Sequence, residues 1–94
     1  MLFVLYCVDK PDHGHVRAAN RPAHLDYIRG HAEQVVIGGP MLSEDGGGMI
    51  GSMAVLDVPD RAAAEAFARD DPYARAGLFE SVIIRRYRKV FPEG

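Results

Sequence analysis

Both alternating sets of the opening segment are apolar: Leu2, Val4, Tyr6 and Val8 on one side, Phe3, Leu5 and Cys7 on the other. That pattern predicts a strand covered on both faces. A polar stretch from Asp9 to Asn20 leads into a helical pattern containing Ala23 to Ala32. There Arg21, Leu25, Ile28 and Ala32 form one stripe, with His24, Ile28 and His31 on the neighbouring one. Pro22 fits either the first turn of this helix or the middle of a longer one begun near His15. Val35 to Leu42 reads as a second strand. Its Gly38-Gly39-Pro40 marks a bulge, an edge or a close backbone approach. Ser43 to Gly48 is a loop, and Met49 to Val58 a third strand, again apolar on both faces. Pro59-Asp60 opens a second helix from Arg61 to about Arg69, with Ala63, Ala66 and Phe67 as its core face. Pro72 ends it. A connection through Ala76-Gly77-Leu78 leads to a last strand, Glu80 to Phe91.

The order strand, helix, strand, strand, helix, strand is that of a ferredoxin-like split βαβ sandwich, an α+β fold filling one domain over residues 1–94. Two helices cover only one face of a four-stranded sheet. The apolar second face therefore predicts a homodimer in which two sheets meet as an α+β barrel. Chain length points the same way, since a domain of this size buries only roughly 60–65% of its unfolded surface.

Composition narrows the partners. A hydrophobic content of 48% and a charged content of 26% suit a soluble domain. The net charge of −2 gives no pull toward nucleic acid or an anionic membrane. Arg85, Arg86, Arg88 and Lys89 cluster at the end of the last strand, but without a net basic domain they read as a solvated or interface strand. No apolar run approaches the roughly 20 residues of a membrane span. The first residues lack the basic start and cleavage site of a signal peptide. The single cysteine, Cys7, excludes an internal disulfide framework. A cytoplasmic location is the expectation.

Two short motifs carry the candidate chemistry. His24, in Arg21-Pro22-Ala23-His24-Leu25, sits at the edge of an apolar stripe. It reads either as a histidine satisfied by a backbone carbonyl or as an acid, base or donor near neutral pH. Asp71, in Asp70-Asp71-Pro72-Tyr73, stands at a helix C-terminus, where a carboxylate faces the negative end of the dipole. It reads either as a turn-forming residue ahead of Pro72 or as the partner of His24, orienting the ring as a triad carboxylate does. No serine or cysteine lies in a nucleophile motif. Arg21 is an anion anchor or a solvated arginine. Tyr73 is a pocket wall or a packing residue. The Gly39-Pro40 backbone is a candidate ligand contact.

Cofactor and metal motifs are not supported. Gly46, Gly48 and Gly51 match a dinucleotide fingerprint only formally, because a strand follows where a helix is needed. His24 and His31 are separated by about 10.5 Å of helix rise, too far to share one ion. No cofactor and no metal are expected; the expected partner is a small-molecule ligand.

The chain resembles the YCII-related (YciI-like) family over nearly its whole length. The resemblance rests on Leu2-Phe3-Val4-Leu5-Tyr6 with Asp9, the run Arg21 to Ile28, Gly39-Pro40-Met41, Gly51-Ser52, the run Asp71 to Glu80, and Lys89-Val90-Phe91. It implies a ferredoxin-like fold, a dimeric α+β barrel, and an active site on a histidine and an aspartate that map to His24 and Asp71. It also implies elimination chemistry in at least one relative. A small enzyme using this dyad for proton transfer is the first expectation, and a non-catalytic metabolite-binding module the alternative.

Overall fold

A computed structural model describes residues 1–93 of the protein. Its elements are β1 (Leu2–Asp9), α1 (Gly14–Gly30), β2 (Val35–Leu42), β3 (Met49–Asp57), α2 (Arg61–Asp70), α3 (Pro72–Arg75) and β4 (Phe79–Tyr87). The strands form one antiparallel sheet in the order β2-β3-β1-β4. This is the ferredoxin-like α+β arrangement predicted from the pattern.

Register explains where the core sits. Leu5 pairs with Ala54 on one side and Ile84 on the other, so the central strands present one continuous face. Phe3, Leu5 and Cys7 are buried on that face with Leu56, Ile84, and Ala64 and Phe67 of α2. The opposite face is apolar too. There Tyr6 pairs with Met53 and Ile83, and these three are 46%, 36% and 40% exposed.

Of the two placements open to Pro22, the longer helix holds. α1 starts at Gly14 and carries Pro22 inside it. Ala18 and Pro22 are both exposed, so water can satisfy the carbonyl that proline leaves unbonded. The second half of the polar stretch is therefore helix. The α2 core face is also shifted: Ala64 and Phe67 are buried, while Ala63 and Ala66 flank them half-buried. Phe67, the largest apolar side chain of α2, sets which side meets the sheet, and Ala64 one turn earlier shares that side.

Pro72 does end α2, but the segment after it is a helical turn, α3, and not a plain connection. β4 stops at Tyr87, short of Phe91, because Tyr87 pairs with Leu2, the first residue of β1. Beyond it no strand residue remains to pair with. β2 is an edge strand with register shifts at both ends, so Pro40 costs the ladder little. Gly51 answers a close approach in β3: a Cβ there would collide with the Cys7 carbonyl oxygen and the Met41 side chain.

Candidate active site

The imidazole of His24 and the carboxylate of Asp71 meet. His24 Nδ1 lies 2.9 Å from Asp71 Oδ1, and both side chains are largely shielded from solvent. The same Asp71 oxygen accepts the Tyr73 backbone N–H at 2.9 Å. Asp71 is thus the N-cap of α3 as well as the residue ending α2. The misplacement inferred at a helix C-terminus is corrected by the next helix, whose N–H groups favour a carboxylate at that point. The turn contact and the contact with His24 therefore fall on one oxygen atom. An ionised carboxylate can only accept, so Nδ1 carries the hydrogen and Nε2 of neutral His24 keeps its lone pair.

Tyr73 stacks on His24, with ring centroids 4.0 Å apart and planes 12° apart. It is 1% exposed. Burial pushes its phenol above the usual range, with the charge and hydrogen-bonding capacity of Arg17 pulling the other way. Arg17 is the residue that sequence reasoning missed. It is 5% exposed. Nε and one terminal nitrogen donate to the two Asp9 oxygens at 2.8 Å each, and that nitrogen also donates to Ser52 Oγ at 2.9 Å. Its guanidinium carbon lies 4.6 Å from the Tyr73 ring centroid. Burial works against its charge, but the hydrogen bonds and charge of Asp9 outweigh it and hold its pKa above the ordinary value. A signal was available: Arg17, Arg21 and His24 lie at i, i+4 and i+7, one helix face. With the start of the helix left open between His15 and Pro22, that face was not read back to Arg17.

Between α1 and the sheet lies a cavity of about 220 Å³. Arg17, Ser52, His24, Asp71 and Tyr73 supply its polar groups, and Leu25, Ile28, Phe67 and Phe79 much of its apolar wall. Arg21, Gly39 and Pro40 also line it, joined by Gly38. Among the described residues Arg21 makes no hydrogen bond or ion pair, and it is exposed. A dry cavity of about 150 Å³ takes up benzene. This one is larger and has room for a small molecule.

His31 and His13 are occupied elsewhere. His31 Nδ1 donates to the Tyr27 carbonyl at 2.8 Å, and His13 Nδ1 to the Pro11 carbonyl at 2.8 Å. Tyr27 donates its hydroxyl to the Phe67 carbonyl at 2.9 Å, in the last turns of α2, where carbonyls run out of intrahelical donors. Among the described residues no group of three metal-ligating side chains is gathered.

Cys7 also borders the cavity, but its thiol is pushed up to about 12, by burial first and then by the charges of Asp71 and Asp9. It is a thiol and not a nucleophile near neutral pH. Folding favours the protonated form. The resulting stability is complete below the ordinary thiol value of 9.0 and is lost as pH rises through about 12. In urea melts, the advantage of the native protein over Cys7→Ala should shrink across that window. A constant difference from pH 8 to 12 would contradict it.

A four-stranded ferredoxin-like α+β domain with a histidine–carboxylate contact in the wall of a cavity is the class that fold and site define. A profile of the YCII-related domain matches residues 1–88, and the chain belongs to that family. Protein YciI of Escherichia coli O6:H1 (strain CFT073) is 37% identical over 98 residues, covering 97% of this chain and all of that protein. Among solved structures, 5-chloro-2-hydroxyhydroquinone dehydrochlorinase (TftG) of Burkholderia phenoliruptrix AC1100, in complex with 2,5-dihydroxybenzoquinone, superposes with a TM-score of 0.87. It is 33% identical over 94% of each chain. An antibiotic biosynthesis monooxygenase, 14% identical with a TM-score of 0.54 over 95% of this chain and all of that one, shares the fold. No helix among the described residues is long and apolar enough to cross a membrane.

Proposed function

We propose that the protein is a small enzyme in which His24 and Asp71 transfer a proton on a one-ring organic molecule, by elimination, isomerisation or hydrolysis. The observation that carries this reading is the 2.9 Å contact between His24 Nδ1 and Asp71 in the wall of a largely apolar cavity. His24 Nε2 takes a proton from the bound molecule or from water. Asp71 holds Nδ1–H in place and counters the imidazolium charge that forms, the part a carboxylate plays in a triad. In an elimination, the electron pair released by deprotonation expels a leaving group from the neighbouring atom, and His24 then gives up its proton to solvent. Arg21 stabilises the anionic form of the molecule, Tyr73 walls the site, and the Gly39-Pro40 backbone lets the ring lie close. The likeness to TftG supports this reading, since that enzyme's named substrate and ligand are both single rings with ionisable oxygens.

A thermal-shift screen starting from 2,5-dihydroxybenzoquinone and related ring compounds should find ligands that stabilise the protein. At least one should be chemically changed by the native protein and left intact by His24→Ala. Ligands that stabilise the protein and are all recovered unaltered would identify the binding module instead and end the enzyme reading.

We also infer that the open sheet face pairs with a second copy. Tyr6, Met53 and Ile83 form a contiguous exposed apolar strip across three strands, of the kind that marks an interface. Sedimentation should give twice the chain mass at micromolar concentration. A monomer there would remove the inference.

A further inference from the structure

We propose that Arg17 is a positioning residue that sets the plane of the His24 imidazole through the Tyr73 ring. The inference rests on the reading of His24 as the proton-transfer group, and it answers what that reading leaves open. The bond from Nδ1 to Asp71 fixes one edge of the imidazole. A ring held by one hydrogen bond can still swing about that bond and carry Nε2 away from a bound molecule. The flat contact with Tyr73 removes the swing, since the planes are only 12° apart. The plane of His24 therefore follows the plane of Tyr73.

Tyr73 needs a fixed neighbour of its own. Phe79 meets it edge-on at 6.2 Å, and the Arg17 guanidinium lies over it at 4.6 Å. Arg17 is the more rigid of the two. Its three hydrogen bonds run to Asp9 in β1 and Ser52 in β3, so the central strands hold the guanidinium flat and in place. Alternation along β1 puts Asp9 on the same face as Cys7, under α1, which is why a carboxylate and a guanidinium meet in an almost water-free place. A buried ion pair adds little stability beyond what well-packed apolar residues would give. Its exact fork geometry, however, defines an orientation that apolar packing would leave looser. The chain of contacts runs from sheet to Arg17, to Tyr73, to His24.

The test reads His24 directly. In the native protein the stacked Tyr73 ring should displace the His24 Cδ2–H and Cε1–H proton resonances through its ring current. Replacing the pair by Arg17→Met with Asp9→Leu removes the guanidinium without stranding a charge. The folded double variant should show these resonances moved most of the way to their free-histidine positions. Tyr73→Leu should do the same, and Tyr73→Phe should retain the native displacement. With a substrate in hand, kcat of the double variant should fall roughly 10- to 100-fold with KM little changed, the signature of misplacement and not of lost binding. Native His24 resonances in the folded double variant would overturn the proposal. Should that variant fail to fold, Ser52→Ala, which removes one bond to the guanidinium, must shift the His24 resonances in the same direction by a smaller amount, and no shift overturns the proposal as well. The resonances are read without substrate. A native protein that turns nothing over therefore defeats the enzyme reading alone.

Discussion

Asp71→Asn is expected to lower turnover by roughly 10²- to 10⁴-fold while leaving the melting temperature within a few degrees of native. The two effects separate because Asp71 does two jobs with one oxygen. Oδ1 accepts both the His24 Nδ1–H and the Tyr73 backbone N–H. An asparagine oxygen has two lone pairs and can accept both, and asparagine is as good an N-cap as aspartate. What disappears is the negative charge that counters a protonated imidazole. An asparagine can also turn its amide to offer N–H to His24, which would favour the tautomer with Nε2 protonated and useless as a base. That flip costs the cap on α3, so both arrangements lose activity while most of the fold persists. The measurement is kcat/KM beside a thermal melt, with ¹⁵N shifts of His24 reporting the tautomer. Unchanged turnover would show that the carboxylate plays no part in the chemistry. A fall in turnover that merely tracks a loss of folded protein would make Asp71 a cap and nothing more.

Arg17→Ala should be the most destabilising of these single changes, at about 3–5 kcal/mol. Its side chain and that of Asp9 are 6% and 7% exposed, so truncating one leaves the other as a charge in a place water hardly reaches. For a domain of this size each kcal/mol is worth roughly 4–8 °C, and the melting temperature should drop by more than about 10 °C. Most of that loss is the stranded carboxylate and not the intrinsic strength of the pair. Arg17→Met combined with Asp9→Leu should therefore recover most of the stability. A double variant as unstable as Arg17→Ala would show that the pair's hydrogen bonds, Ser52 included, hold β1, β3 and α1 together directly.

Much of this molecule was legible in one dimension because its signals are local. Apolar runs on both faces located β1 and β3, and of the bulge, edge or close approach that Gly38-Gly39-Pro40 left open, β2 is an edge strand. His24 and Asp71 each stood out as a residue type in an unusual local setting. The misses share a cause. The end of β4 depends on where β1 begins, since Tyr87 pairs with Leu2. The start of α1 stayed open between Pro22 and His15 because Arg17, the buried residue of its first half, is charged and reads as polar until its partner is known. Asp71 looked misplaced because the helix it caps is only one turn long, too short for any periodicity to reveal.

Sequence alone determined the order and type of the main elements, the apolar second face of the sheet, and the two motifs that bear the candidate chemistry. These follow from spacing and composition within a few residues of each position. The tertiary structure alone decided that His24 and Asp71, 47 residues apart, share a hydrogen bond, and that Arg17 lies over Tyr73 with Asp9 and Ser52 holding it. Such contacts depend on the register of β1 against β3 and on how α1 and the α2–α3 junction close over the sheet. They are properties of packing between distant segments, which no local pattern along the chain encodes.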